Sequence, residues 1–245
     1  MFTSSLQRAV QIALLTASTA AAQTSTSAAH VSSDSSEWMR RSTVSISFIQ
    51  SRPQGVFAQN VGIGYGIDGA YLFRLDAAGI WSLRANIGVI SYGDESRRTA
   101  ISGAVGGRVN VDVKTSNYLI PVSVGPQLAF PTGPVRPYVN AALGGLGFIT
   151  ESHVQGTHDL TSIGSTTNHS SFVGSWVLGG GVYVPLSVRA REVQLDLGVQ
   201  YFNGGNTRYL AKGSIVDLPG AQIAVTPLES VTHTAVMRIG VRVQP

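Results

Sequence analysis

The sequence predicts an all-β chain, an eight-stranded antiparallel up-and-down β-barrel that crosses a membrane. Three observations carry that reading. The 245 residues are 43% hydrophobic but only 12% charged, about half the usual share for a soluble domain. Mean hydropathy is positive, yet no uncharged apolar run reaches the ~18 residues of a spanning helix. From Ser42 onward, apolar residues alternate with polar or small ones at period two, the mark of strands with one apolar face.

The chain before Ser42 has a different character. Residues 1–22 read as a secretory signal: Arg8 supplies the positive segment, Ala9–Leu15 opens a short apolar stretch, and Ala20-Ala21-Ala22 offers a small-residue cleavage site before Gln23. Residues 23–41, rich in Ser, Thr and Ala without periodicity, read as a disordered tether. Residues 42–245 are assigned to the barrel.

Eight strands follow in order. Val44–Gln50 has Val44, Ile46 and Phe48 on its apolar face. Val61–Arg74 sets Val61, Ile63, Tyr65, Ile67, Tyr71 and Phe73 against Gly62, Gly64, Gly66, Asp68 and Arg74. Ile80–Tyr92 sets Trp81, Leu83, Ala85, Ile87 and Val89 against Ser82, Arg84, Asn86 and Gly88. Tyr118–Phe130 opposes its apolar residues to Ser123, Gly125 and Gln127, and Tyr138–Thr150 opposes Val139, Ala141 and Leu143 to Asn140, Ala142 and Gly144. Phe172–Leu186 places Trp176 and Leu178 opposite Ser175, Gly179 and Gly181. Glu192–Asn203 alternates Val193, Leu195, Leu197, Val199 and Tyr201 with Gln194, Asp196, Gly198 and Gln200. Val231–Val243 gathers Arg238 and Arg242 on its even face and Met237, Ile239 and Val241 on its odd one.

The connections alternate as well. Leu75–Gly79, Pro131–Arg136 and Ser187–Arg191 are short, whereas Ser51–Asn60, Asp94–Ser116, Glu151–Ser171 and Gly204–Ser230 are long and more polar. Within them, Gly107–Val113 and Arg208–Val216 read as strand extensions above the membrane. Short turns at one end and long loops at the other describe a transmembrane barrel. Sidedness follows from composition. A soluble barrel would carry Lys and Glu on its outer face, but the chain has two Lys in all, and its small-or-polar face is rich in Gly. The apolar face therefore meets lipid and the polar face fills the lumen. Tyr71, Phe73, Trp81, Tyr118 and Phe130 fall near strand ends, as an interfacial girdle requires.

This pattern resembles the small outer-membrane barrels of the OmpA, OmpX and opacity-protein type. The strings Gly69–Asp76, Gly125–Leu128 and Arg136–Ala141 are similar to those of bacterial barrel proteins of that broad group. The resemblance covers about residues 42–243 and carries no catalytic motif. It implies a bacterial outer-membrane location, contact with outer-membrane lipid and lipopolysaccharide, and assembly by the barrel insertion machinery. It also implies that no peptidoglycan-binding domain follows strand eight. One departure is the ending Val241-Arg242-Val243-Gln244-Pro245, which lacks the terminal aromatic such barrels commonly present.

The residues with chemical potential lie on the inner face. Asp68, Arg84, Asn86, Asp196, Arg238 and Arg242 are expected to form a lumen network, because unpaired charges in so narrow an interior are costly. A turn centred near Ala77 places Asp68 opposite Asn86 and diagonal to Arg84. Asp196 and Arg238 lie on neighbouring strands at similar heights. An eight-strand interior just accommodates side chains, so a plug is favoured over an Arg-lined passive pore for small solutes.

Other chemistry is weakly represented. Cysteine is absent, which excludes disulfides, thiolate metal sites and a thiol nucleophile. His153, His158 and His169 share a long loop but show no metal-ligand spacing. His169-Ser170-Ser171 resembles the Ser and His of lipid-modifying rim enzymes, with no third group at diagnostic spacing. The runs Gly62-x-Gly64-x-Gly66 and Gly179-Gly180-Gly181 precede no helix, so neither is a phosphate cradle. The net charge of +4 is scattered, unlike a nucleic-acid footprint. The expected role is non-enzymatic and cofactor-free, in membrane integrity or in surface interaction with an extracellular ligand through the long loops. A narrow pore ranks second and a rim enzyme third.

Overall fold

The computed structural model describes residues 41–102, 108–156, 162–186, 193–211, 213–218 and 222–244. The expected signal segment and most of the tether lie outside the described residues, as does the third short turn, Ser187–Arg191. None of the described helices is long and apolar enough to cross a membrane, a fact that bears on helices alone.

The strands are β1 (Ser42–Pro53), β2 (Gly64–Arg74), β3 (Trp81–Ser102), β4 (Arg108–Ala129), β5 (Arg136–Gly156), β6 (Ser162–Leu186), β7 (Val193–Tyr209), β8 (Ile215–Leu218), β9 (Gln222–Val225) and β10 (Leu228–Val243). A four-residue helix, α1 (Phe57–Asn60), follows β1. Eight strands close a barrel in the order β1-β10-β7-β6-β5-β4-β3-β2, and β8 and β9 form a separate hairpin in the link before β10. All neighbours are antiparallel, and β10 seals the wall by pairing with β1 from Val44 with Val243 to Pro53 with Thr234.

Period two becomes two faces. Val44, Ile46, Phe48, Ile67, Ile87, Leu143, Met237 and Ile239 are exposed on the outside, while Ser45, Ser47, Asn86, Gln127, Gln200 and Thr234 are buried inside. Leu143 is 72% exposed while Asp196 is 0% exposed. Such an inverted distribution suits lipid outside and a filled lumen within, so the barrel is of the transmembrane type. Strands β1 and β2, of 12 and 11 residues, match the ~9–11 residues a tilted strand needs to cross. Outward aromatics mark both ends of the apolar band: Tyr71, Trp81 and Phe130 near the turns, Tyr65, Phe172 and Trp176 towards the other end.

Three sequence expectations need correction. First, the polar links Asp94–Ser116 and Glu151–Ser171 are mostly continued ladder rather than loop. β3 and β4 pair from Gly93 with Asn117 up to Ser102 with Arg108, and β5 and β6 pair up to Gln155 with Ser162. The extension expected at Gly107–Val113 is there from Arg108, where Val109, Val111 and Val113 keep the alternation, whereas residues 94–99 are polar on both faces and pair all the same. The Gly204–Ser230 link is likewise shortened by β7, which runs to Tyr209, and by the β8–β9 hairpin. Second, Val61 is buried inside rather than on the lipid face, just after α1 in the Ser51–Asn60 link.

Third, the β2–β3 register is displaced. Asp68 pairs with Gly88, and Asn86 stands opposite Ala70. The turn is wider than expected because Leu75 N–H bonds to Trp81 O, with Asp76–Ile80 between them. Asp76 accepts N–H bonds from Trp81 (2.8 Å) and Ile80 (3.2 Å), and Gly79 takes φ +74°, a left-handed conformation that glycine adopts without strain.

Candidate functional site

The inner face holds two stacked layers. Nearer the turns, polar residues from β2, β3, β7 and β10 converge. Arg84 Nη2 lies 3.6 Å from Asp196 Oδ2. Arg238 Nε lies 3.7 Å from the same oxygen, and its Nη1 is 4.0 Å from Asp68 Oδ2. Two guanidinium groups thus face two carboxylates, and the formal charges cancel within the layer. Arg84 is only 2% exposed and Asp196 is fully buried, so neither could keep its charge there without the other.

Neutral groups complete the layer. Asn86 donates to both oxygens of Asp68 at 3.1 and 3.0 Å and accepts from Arg84 Nε at 2.8 Å. Arg84 Nη1 donates to Gln127 Oε1 and to the Tyr183 hydroxyl. Tyr138 donates to Asp196 Oδ1 at 2.7 Å and stacks on Tyr183 with ring centroids 4.3 Å apart. A Cβ on Gly181 or Gly198 would collide with the Tyr138 hydroxyl, so these glycines make room for it. Within the Gly179–Gly181 run, Gly179 and Gly181 therefore serve interior packing.

Five of the six sequence-selected lumen residues meet in this layer: Asp68, Arg84, Asn86, Asp196 and Arg238. Arg242 does not join them. Its guanidinium lies 4.4 Å over the Tyr183 ring, and its Nη2 donates to Thr43 Oγ1 at 3.4 Å. Gln127, Tyr138 and Tyr183 were absent from the selection. The tyrosines look like ordinary aromatic strand residues, and only strict parity counting would have turned them inward.

Towards the loop end the lumen is apolar. Ile49, Ile90, Leu119, Leu146, Phe148, Val177, Phe202 and Val236 face inward and form one cluster with Phe57 and Val61. Phe57, fully buried, packs edge-on against Phe148 at 5.8 Å and Tyr209 at 5.0 Å. The segment around α1 thus enters the mouth, helped by a bond from Asn60 Nδ2 to the Tyr209 hydroxyl. Across the mouth, Tyr92 donates to Leu210 O at 3.1 Å. This layer had a sequence signal: at Phe48-Ile49, Val89-Ile90, Trp176-Val177-Leu178 and Tyr201-Phe202 consecutive residues are apolar, so both faces are.

The rim holds no catalytic pair at His169 and Ser171. Both side chains bond to the same acceptor, Arg208 O, at 3.0 and 2.6 Å. The serine proton is committed to a backbone carbonyl rather than to the imidazole. Glu151 lies 3.6 Å from His153. Among the described residues, no group of three or more His, Cys, Asp and Glu could hold a metal ion, and His158 lies outside the described residues.

No protein-family model matches the chain, and no curated protein matches its sequence. Solved structures match at low identity. The attachment invasion locus protein Ail of Yersinia pestis is 14% identical, with 82% of this chain and 96% of that one covered at a TM-score of 0.40. Neisserial surface protein A is 14% identical, with coverage of 83% and 97% and a TM-score of 0.40. A major outer membrane protein of Thermus thermophilus is also 14% identical, with coverage of 82% and 98% and a TM-score of 0.40. In architecture, the chain resembles the small outer-membrane barrels: one closed wall of eight antiparallel strands, apolar outside and packed within.

Proposed function

We propose that this chain is a non-enzymatic protein of the bacterial outer membrane, a plugged barrel that strengthens the membrane and presents its raised strands and loops to an extracellular ligand. Residues 1–22 serve as the export signal and residues 23–41 as a tether. The short turns and both termini of the barrel face the periplasm. Its partners are outer-membrane lipid and lipopolysaccharide on the wall, the insertion machinery during assembly, and a surface ligand at the loops.

One observation carries this reading: the lumen is filled twice over, by the balanced charge layer and by the apolar layer that Phe57 caps. Side chains so packed leave the molecule's exterior as its working surface. That exterior includes β3–β6, whose 22, 22, 21 and 25 residues are about twice what a crossing requires. Elements built beyond the membrane are where binding is expected to reside.

The test combines two measurements on the purified mature chain. It should require detergent for solubility and migrate differently on gels before and after boiling, as a folded barrel does. In planar bilayers it should show no steady conductance. A stable single-channel current altered by Arg84→Ala or Arg238→Ala would replace this reading with the narrow pore. Solubility without detergent and unchanged migration would remove the membrane barrel altogether.

A further inference from the structure

At the loop end, the lumen holds a guest that the wall strands do not supply. Phe57 belongs to the segment between β1 and β2, and its ring is completely buried, edge-on to Phe148 of β5 at 5.8 Å and to Tyr209 of β7 at 5.0 Å. The receiving rings are fixed by one another. Phe148 stacks on Tyr209 at 5.7 Å and meets Tyr92 of β3 edge-on at 6.3 Å, and Tyr92 is held in turn by Leu210 O. This aromatic box therefore has walls of its own, independent of the ring it contains.

Tyr209 is contacted twice by the guest segment. One helical turn brings Phe57 and Asn60 to the same side. The phenyl ring packs on the Tyr209 ring, and Asn60 Nδ2 donates to its hydroxyl at 3.3 Å. The direction of that bond is set by the next group along. Ser230 Oγ donates to Val231 O, so the Tyr209 proton goes to Ser230 Oγ at 3.0 Å and the phenol oxygen is left as an acceptor. An occupant of the box must bring a donor to that oxygen, because leaving it buried and unpaired is costly.

The guest segment can leave as a unit. Its backbone bonds close on itself, from the N–H groups of Ala58, Gln59 and Val61 to the carbonyls of Gly55, Val56 and Phe57. Gly55 at its root takes φ +60°, the left-handed region that glycine enters without strain, and a Cβ there would meet open space. Beyond Gln54, which bonds to His233 O, the Asn60–Tyr209 bond is what ties residues 55–61 to the wall by polar contact among the described residues.

We infer that the mouth is a binding site for a small phenol-like amphiphile, an apolar ring joined to a hydrogen-bond donor, which replaces Phe57 and Asn60 when their segment swings out on Gly55. The phenyl ring shows the size and shape that the box accepts. The amide shows the group that Tyr209 demands. Ile90, Leu119 and Val177 line the cluster with apolar surface alone, so a charged ring is refused. The ligand goes no deeper, since the charge layer closes the lumen below it. The inference needs the barrel and its mouth but not the surface role proposed above, so each can fail alone.

Fluorine NMR of para-fluorophenol tests it, with the full mature chain folded in neutral detergent and empty micelles as the blank. The matched ring without a donor is para-fluoroanisole. The parent should bind the phenol saturably and the anisole about tenfold more weakly, and Tyr209→Phe should erase that preference. Phe57→Ala removes the competing guest and should bind the phenol about tenfold more tightly, because the parent's box is open for only a fraction of the time. Hydrogen exchange across residues 54–63 of the parent should rise with the phenol and leave the β1–β10 ladder unchanged. The gel shift on boiling establishes that each variant is folded, and Phe57→Leu serves should Phe57→Ala fail to fold. Binding by Phe57→Ala with a silent parent would mean a cavity made by the substitution only, and would overturn the site. Equal affinity for phenol and anisole in the parent, a preference that survives in Tyr209→Phe, or binding without faster exchange at residues 54–63 would overturn it as well.

Discussion

Tyr138 on β5 donates a 2.7 Å hydrogen bond to Asp196 on β7, reaching across the lumen past the intervening strand β6. The ring has space for this only because Gly198 and Gly181 lack side chains. Gly198→Val should therefore act through Tyr138. It is expected to destabilise the barrel by ~1–3 kcal/mol, the usual cost of overpacking. In a Tyr138→Phe background, where the hydroxyl is gone, the cost should shrink. Denaturant unfolding of both single variants and the double variant measures the coupling, and simple additivity would count against the contact.

Asp196 balances both buried guanidinium groups at once. Asp196→Ala should cost ~3–5 kcal/mol, since it strands a buried positive charge. Combining it with Arg238→Met should recover part of the loss, because the remaining Arg84 keeps a balanced neighbour in Asp68 within the same layer. The check is a double-mutant cycle in urea, in which the paired variant unfolds later than Asp196→Ala alone.

Phe57 is buried in the mouth but belongs to no wall strand. Phe57→Ala should release residues 54–63 while leaving barrel closure intact. Hydrogen exchange should accelerate across that segment, with protection of the β1–β10 ladder unchanged within experimental error. Loss of protection in both places would mean that the lid is integral to the wall.

Asp76 links pH to turn stability. Desolvation pushes its carboxyl up, but the N–H groups of Trp81 and Ile80, with the nearby Arg74 charge, more than reverse this and hold it below the ordinary aspartate range. A depressed folded value means stability that is complete above about pH 5 and is lost as pH falls through the folded value. The stability difference between the parent and Asp76→Asn should accordingly be flat near neutrality and narrow on acidification. A difference that widens in acid would reverse the sign.

Lys114 tests the raised ladder. Its side chain is exposed, yet its backbone sits between Ser96 on β3 and His153 on β5. Trypsin should cleave poorly after Lys114 in the folded protein and rapidly after boiling, whereas a true loop would be cut in both states.

Much of this architecture was legible because the apolar face obeys parity. The eight wall strands and the sidedness of residues such as Ile67, Trp81, Asp196 and Arg238 follow from counting odd and even positions. What parity reports is a difference between two environments, and it fails where the environments match. Over residues 94–99 every side chain is polar, so that stretch reads as a loop, although Asp94–Ser102 pairs with Arg108–Ser116. At Ile49, Ile90 and Val177 both faces are apolar, so the second, oily layer of the lumen passed unrecognised. Within the charge layer, identities were readable but the β2–β3 register was not, because one Asp76-capped turn moved Asn86 from Asp68 to Ala70. Tyr138 and Tyr183 escaped notice because a tyrosine suits a membrane interface as well as a lumen.

The pairing of Val44 with Val243 closes the wall between the two ends of the folded chain. Arg238 on β10 and Asp68 on β2 flank β1, one on each side, and their groups approach within 4.0 Å across it. Until β10 has docked, Asp68 faces an open trough and Arg238 has no counterpart from that direction. The charge layer therefore acts as a clasp on the seam: the approach of Arg238 to Asp68 rewards completion of the circle and is missing from an unclosed sheet. An assembling barrel with such a clasp has little reason to stop at seven strands, and little freedom to admit a ninth.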